Sequence, residues 1–238
     1  SGCIEVGAFG KEAYLLTGYL NVVKILEITL NNGTDPVSGH MVSIKTGDPT
    51  GFRSFDELYG AFIKQLKYVI NTKVTVNHRI ERICAEWMPA PFLSVLIDDC
   101  IEKGMDYYNG GPRYNTSYIQ CTGLGTAADC LSSLKKHIFD DGKWSMENLL
   151  KALSCNYEGY EPMRRYILNK TPFFGNDDDY VDRLAVRLYD DLFTLIDGRP
   201  NTRGGKFHMD MLSTTCHVYF GAVTGALPNG RKAGRPLS

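Results

Sequence analysis

No apolar run in these 238 residues is long enough to cross a bilayer, and no basic segment followed by an apolar stretch opens the chain. A cytoplasmic location without a membrane partner is the expectation. Charge of either sign is not in excess either: Lys+Arg 26 against Asp+Glu 27 leaves a formal net charge of -1, and no global field that would draw nucleic acid or an anionic surface. The 7 cysteines, at positions 3, 84, 100, 121, 130, 155 and 216, contain no CxxC pair and no zinc-ligand spacing, and their number is odd. They are expected to be reduced, mostly buried thiols. Repeats are missing, which excludes a solenoid. Gly123-Leu124-Gly125-Thr126 lacks the Lys-Ser/Thr of a phosphate-binding loop and reads as a tight turn, and Asp177-Asp178-Asp179 reads as a helix cap, so no metal and no bound cofactor are expected.

What is present is 43% hydrophobic residues, enough for a sizeable core, punctuated by Gly and Pro. Mixed apolar spacing from Tyr19 to Leu30, stopped by Asn32-Gly33, predicts a helix, and turn residues over 33–53 predict a long connection. Ser54 with Glu57 is a capping box, and Leu58, Phe62, Leu66 and Val69-Ile70 follow at helical spacing. That helix is expected to reach Met88, with a weak point at the β-branched residues of 72–76. Pro89 and Pro91 introduce a second helix over 92–103, closed by Gly104. A strand over 114–121, a glycine turn and a helix over 127–137 make an α/β pattern. Helices are expected from Ser145 to Leu153 and from the Asn176–Asp179 cap to Ile196, and residues 211–220 read as a buried strand or a short helix.

Cys3 and Glu5 stand two apart between Gly2 and Gly7, which in extended backbone puts both side chains on one side. A carboxylate beside a thiol raises the thiol pKa, which is wrong for a thiolate nucleophile but acceptable where a neutral S–H must lose a hydrogen atom. Read as residues alone, Tyr19 is an ordinary half-buried helix aromatic, and Thr214 and Thr215 are either pocket residues or plain strand formers. His217 reads as a core histidine.

The run from Gly2 to Asn21, headed by Gly2-Cys3-Ile4-Glu5, resembles the active-site loop of glycyl radical enzymes of the pyruvate formate-lyase superfamily, in which a GCxE motif carries a thiyl cysteine and a catalytic glutamate. Similar in order are Gly110–Asn115, Asn169–Pro172 with Gly175–Tyr180, Asp197–Asn201, Thr214–Gly221 and Pro228–Arg231. The resemblance implies an α/β fold, the second half of a ten-stranded barrel, with the cysteine finger loop at the N-terminus. Residues 1–238 would be a partial barrel domain with both ends cut. The radical-bearing glycine, in an RVxGY-type motif absent from these residues, would lie in a further domain, charged by a radical S-adenosylmethionine activating enzyme. A homodimer is expected of the full-length protein.

One cysteine, not two adjacent ones, disfavours acyl transfer to coenzyme A and resembles the eliminating branch, nearest to 4-hydroxyproline dehydratase. Cys3 and Glu5 are then the catalytic pair, and Tyr19, Thr214 and Thr215 the substrate contacts, for a lyase that removes water or another leaving group from a small polar substrate. Formate C-acetyltransferase activity and a non-catalytic structural remnant are the alternatives.

Overall fold

The computed structural model describes residues 7–212 and 214–238. The described residues form two compact units. One comprises the residues up to Leu20 with Ile70–Cys121 and Leu192–Leu212; the other comprises Asn21–Val69, Thr122–Asp191 and the residues from Thr214 on. The fold is α/β, as the strand, turn and helix pattern predicts.

In chain order the elements are β1 (Glu12–Asn21), α1 (Val22–Leu30), α2 (Phe55–Trp87), the single turns α3 (Pro91–Ser94) and α4 (Cys100–Lys103), β2 (Tyr114–Thr122), α5 (Leu124–Leu134), α6 (Met146–Ser154), α7 (Glu161–Lys170), α8 (Asp179–Ile196), β3 (Lys206–Met211) and α9 (Cys216–Ala222). The strands form one sheet in the order β1-β2-β3. β2 and β3 run parallel, Ser117 opposite Phe207 and Cys121 opposite Met211.

The first unit is organised by the sheet and the second half of α2. Val74, Asn77 and Glu81 recur at helical spacing on the buried face of that helix. The β-branched residues of 72–76 do not interrupt it: α2 is continuous over 33 residues. Asn77 Nδ2 donates to the Thr17 hydroxyl of β1 at 2.8 Å, which ties the helix down at the expected weak point. Glu81 is buried, accepts from Ser117 Oγ at 2.5 Å and from Thr202 N at 2.9 Å, and faces Arg203 Nε at 3.8 Å. The Asp197–Asn201 segment is a loop organiser. Asn201 Oδ1 accepts from the backbone of Arg203 and Gly205, and Asp197 meets His208 Nδ1 at 2.7 Å.

The second unit packs α1 against α5 and closes a core of Leu30, Leu58, Leu134, Leu149, Tyr157 and Ile167. The capping box forms: Ser54 Oγ accepts from Glu57 N at 3.2 Å, and the Glu57 carboxylate reaches back to Arg53 N at 2.8 Å. Asp178 caps α8 by accepting from Tyr180 N at 2.9 Å, in agreement with the cap expected of the Asp177–Asp179 run. The Pro228–Arg231 turn is a clamp. Arg231 donates to the carbonyls of Gly225, at 2.7 Å, and Gly221, at 2.7 Å, and so fastens the turn to the end of α9.

Several expected elements differ. Helix α1 begins at Val22, because Tyr19–Asn21 belong to a strand and Asn21 is the cap, its Oδ1 accepting from Lys24 N. Residues 92–103 are not one helix; Asp99 sits at φ +75°, held by Arg113 at 2.8 Å, and splits the segment. Of the two readings of residues 211–220, the short helix is found and the strand is not: β3 stops at Met211 and Cys216–Ala222 is helical. A Cβ at Gly221 would collide with the Arg235 carbonyl, and that close approach, with the Arg231 clamp, fixes helical backbone on residues of high β-propensity. Helix α7 was not expected at all.

Burial pushes the Asp129 carboxyl up to about 6, against the opposing effects of the hydrogen bond from Phe174 N at 2.8 Å and one from Asn229. The folded pKa lies above the usual aspartate value, so folding takes up a proton between those limits, and this group's contribution to stability falls as pH rises from about 4 to about 6. In Asp129→Asn the acceptor for Phe174 N is kept and the charge is lost. Hydrogen-exchange protection of α5 should exceed wild type at pH 7, with the gap closing near pH 4. A gap that widens on acidification would refute the assignment.

Candidate functional site

Cys3 and Glu5 lie outside the described residues. Gly7 lies so close to the Tyr14 ring that a Cβ there would clash with it. The turn that follows is closed by Lys11 N donating to Ala8 O at 3.0 Å and by Ala8 N donating to Glu12 Oε2 at 2.8 Å. Glu12 also accepts from the Thr116 hydroxyl of β2. Residues 8–12 therefore form a pinned turn that leads into β1.

Tyr19 lies near the carboxyl end of β1 and is 43% exposed. Its exposure is not what alternation along a strand would give. Ala13 is buried, Thr17 points at α2 through Asn77, and Tyr19 would follow Thr17 to that side; yet Leu20 is the buried residue and Tyr19 is open. The phase changes at Gly18, whose φ of +122° is a conformation side-chain-bearing residues rarely adopt. The space its missing Cβ would fill is taken by Lys73 Nζ, 2.8 Å from that point, and Lys73 donates to Thr17 O at 3.4 Å. Burial pulls the Lys73 ammonium below its usual range. Gly18 and Lys73 are the residues the sequence reading missed here. The available signal was an isolated glycine inside an apolar run, which marks a bulge or a close approach.

Replacing Gly18 with Val combines backbone strain of about 1–3 kcal/mol with the Lys73 clash. In the full-length protein it should raise the Kd for substrate at least about tenfold, because Tyr19 turns. Unchanged affinity in Gly18→Val would refute the placement of Tyr19 by Gly18.

Thr214 and Thr215 follow β3 and precede α9, in the second unit. Thr214 is half-buried and Thr215 exposed. Thr214 Oγ1 accepts from Cys216 N at 3.2 Å and lies 2.6 Å from Cys216 Sγ. Thr215 makes no side-chain cap to α9, so its hydroxyl is not consumed by the helix. Cys216 Sγ also meets the buried Thr122 hydroxyl, at the end of β2, at 3.6 Å. Cys216 and Thr122 were not singled out from the sequence. His217 is half-buried, with its imidazole held below the usual range by burial, and its carbonyl accepts from Leu237 N.

Among the described residues no group of three or more His, Cys, Asp or Glu side chains is placed to hold a metal ion, all the cysteines are free, and no helix is long and apolar enough to cross a membrane. Tyr19 and Thr214 each sit at or just beyond the carboxyl end of a strand, the end at which parallel α/β sheets bind ligands.

A parallel α/β sheet with candidate residues at its strand ends defines the class, and the chain belongs to the pyruvate formate lyase-like family, whose model matches residues 1–221. It is 53% identical over its whole length to trans-4-hydroxy-L-proline dehydratase of Clostridioides difficile, of which it spans 30%. The crystal structure of that species' hydroxyproline dehydratase with trans-4-hydroxy-L-proline bound superposes with a TM-score of 0.97, covering 100% of this chain and 30% of that one. The glycerol-bound, B12-independent glycerol dehydratase of Clostridium butyricum is 34% identical, with a TM-score of 0.94 and the same coverage. The chain thus spans under a third of the relatives it matches.

Proposed function

We propose that these residues are part of a glycyl radical dehydratase that removes water from trans-4-hydroxy-L-proline. The observation that carries this is the 53% identity, sustained over the entire chain, to a dehydratase of that substrate. The chain is read as a partial barrel domain, its three strands part of the second half-barrel. Ile80, Ile83, Trp87, Phe92 and Leu96, apolar yet exposed, support its belonging to a larger body.

In this reading Cys3 is the thiyl carrier and Glu5 the base. A radical stored on a glycine outside these residues, installed by a radical S-adenosylmethionine activating enzyme, supplies the unpaired electron. The Cys3 sulfur takes a hydrogen atom from C5 of the ring, the carbon between nitrogen and the hydroxyl-bearing C4. Glu5 takes the proton from the ring nitrogen, which pushes electron density toward C4 and weakens its bond to the hydroxyl. The hydroxyl leaves as water with a proton from an acid outside these residues. Cys3 S–H returns its hydrogen atom to C4, leaving a C5=N double bond; the net change is loss of one water. Tyr19, Thr214 and Thr215 contact the substrate, and the full-length protein is a homodimer.

The test is the full-length protein, activated anaerobically, with trans-4-hydroxy-L-proline. A glycyl doublet in the electron paramagnetic resonance spectrum and formation of the cyclic imine are expected. Formate and acetyl-CoA made from pyruvate and coenzyme A would replace this reading with acyl transfer, and a radical without any turnover of hydroxyproline would remove the substrate assignment.

A further inference from the structure

Lys73 and Asn77 stand one turn apart on α2, and both reach the same residue of β1, Thr17. We infer that Lys73 is a positioning residue, whose ammonium fixes the peptide between Thr17 and Gly18 and thereby the direction in which Tyr19 is presented to substrate. This rests on the reading above that Tyr19 contacts substrate.

The hydrogen bonds at Thr17 can run only one way. Asn77 Nδ2 is an amide nitrogen and donates to the Thr17 hydroxyl at 2.8 Å, and that hydroxyl gives its one hydrogen to the Tyr118 carbonyl of β2 at 2.9 Å. Lys73 Nζ donates to the Thr17 carbonyl at 3.4 Å. One helix thus holds Thr17 by its side chain and by its carbonyl. The second hold decides the path to Tyr19. The Thr17 carbonyl and the Gly18 nitrogen lie in one planar peptide, so the position of that oxygen and the φ of Gly18 are not independent. Gly18 sits at φ +122°, and the chain leaves it with Tyr19 open and Leu20 buried.

Charge, not bulk, is what Lys73 brings to this place. Its side chain is half-buried, and among the described residues no carboxylate pairs with it. A desolvated ammonium without a counter-ion is a costly filler, and an apolar side chain of similar length would occupy the space at lower cost. What the ammonium adds is the bond to the Thr17 carbonyl. Nζ lies 2.8 Å from the point where a Gly18 Cβ would stand, and Cε lies 3.9 Å from it. A side chain at position 18 therefore pushes the ammonium off the carbonyl, whereas a residue ending at the level of Cε leaves the space clear.

Two measurements on the full-length, unactivated protein separate this inference from the functional reading beneath it. The first needs no substrate. With 3-fluorotyrosine placed at position 19, the fluorine resonance should move in Lys73→Met, which keeps the apolar stem and removes the donor; a resonance that stays in place overturns the inference. The second is calorimetric titration with trans-4-hydroxy-L-proline, run as a double-variant cycle. Lys73→Met should weaken binding roughly fivefold, the size of one hydrogen bond, and Gly18→Ala about tenfold, because it adds backbone strain to the same loss. The double variant should bind no more weakly than Gly18→Ala alone, since the ammonium can be lost only once. Losses that multiply to about fiftyfold overturn the inference, as does wild-type affinity in Lys73→Met. After activation the Lys73→Met loss should appear in KM with kcat little changed. A wild-type protein that binds no hydroxyproline, with a fluorine resonance that still moves in Lys73→Met, overturns the substrate reading and leaves the hold of Lys73 on Tyr19 standing.

Discussion

Full-length protein carrying Cys3→Ser should hold a glycyl radical and turn over nothing. An O–H bond is much stronger than an S–H bond, so a serine at this position cannot pass its hydrogen to a carbon-centred radical at a useful rate. Each ~1.4 kcal/mol added to that barrier costs a factor of ten, and the bond-strength difference is expected to lower turnover by more than about four orders of magnitude. The glycyl doublet should be as intense as in wild type, because in the proposed reading the activating enzyme acts on a glycine outside these residues. The pairing of these results carries the argument: lost activity with a normal doublet places the defect at radical transfer to substrate. Retained turnover in Cys3→Ser would end the radical reading outright, and a lost doublet would mean that the variant no longer folds or docks.

Much of this was legible before any coordinates. Ser54 with Glu57, the turn at Asn32-Gly33, the acidic cap before Tyr180 and the strand expected over 114–121 follow from local chemistry, and the structure has each of them, the strand running one residue further. The elements that escaped are those in which a distant residue decides. β1 lacks a readable period because Gly18 shifts its phase, and what lets Gly18 do so is Lys73, some fifty residues away in sequence. The segment 92–103 carries helical spacing, but Asp99 is drawn out by Arg113 of the strand entry. α9 is built of Val, Tyr and Phe, and its helix is imposed by the Gly221 approach to Arg235 and by Arg231. Two of the segments that resemble the family hold backbone in place: Asn201 Oδ1 accepts from the Arg203 N–H, and Arg231 donates to the Gly225 carbonyl. The candidate catalytic residues Cys3 and Glu5 are named through resemblance alone, since a Cys-x-Glu triplet has no local signature of its own. The contacts of Cys216 with Thr122 and Thr214 were invisible because those two threonines are brought together by tertiary structure, ninety residues apart.

Glu5→Gln should separate proton transfer from radical transfer. The amide has nearly the same size and keeps a hydrogen-bonding oxygen, so substrate binding and the Cys3 setting change little, but it cannot take the proton from the ring nitrogen. General-base assistance of this kind contributes about 10²–10⁴-fold, and kcat should fall by that amount while KM moves little. Without the base, the radical at C5 still forms but does not expel the hydroxyl. Deuterium placed at C5 of hydroxyproline should then wash back and forth through the Cys3 sulfur, so that recovered substrate shows scrambling at C5 faster than product appears. A Glu5→Gln protein with wild-type kcat would assign the base to another residue, and one without C5 scrambling and without product would show that Glu5 is needed for hydrogen-atom transfer itself. The proposed mechanism gives Cys3 and Glu5 separate tasks, and only the combination of a silent Cys3→Ser protein and a scrambling Glu5→Gln protein satisfies both.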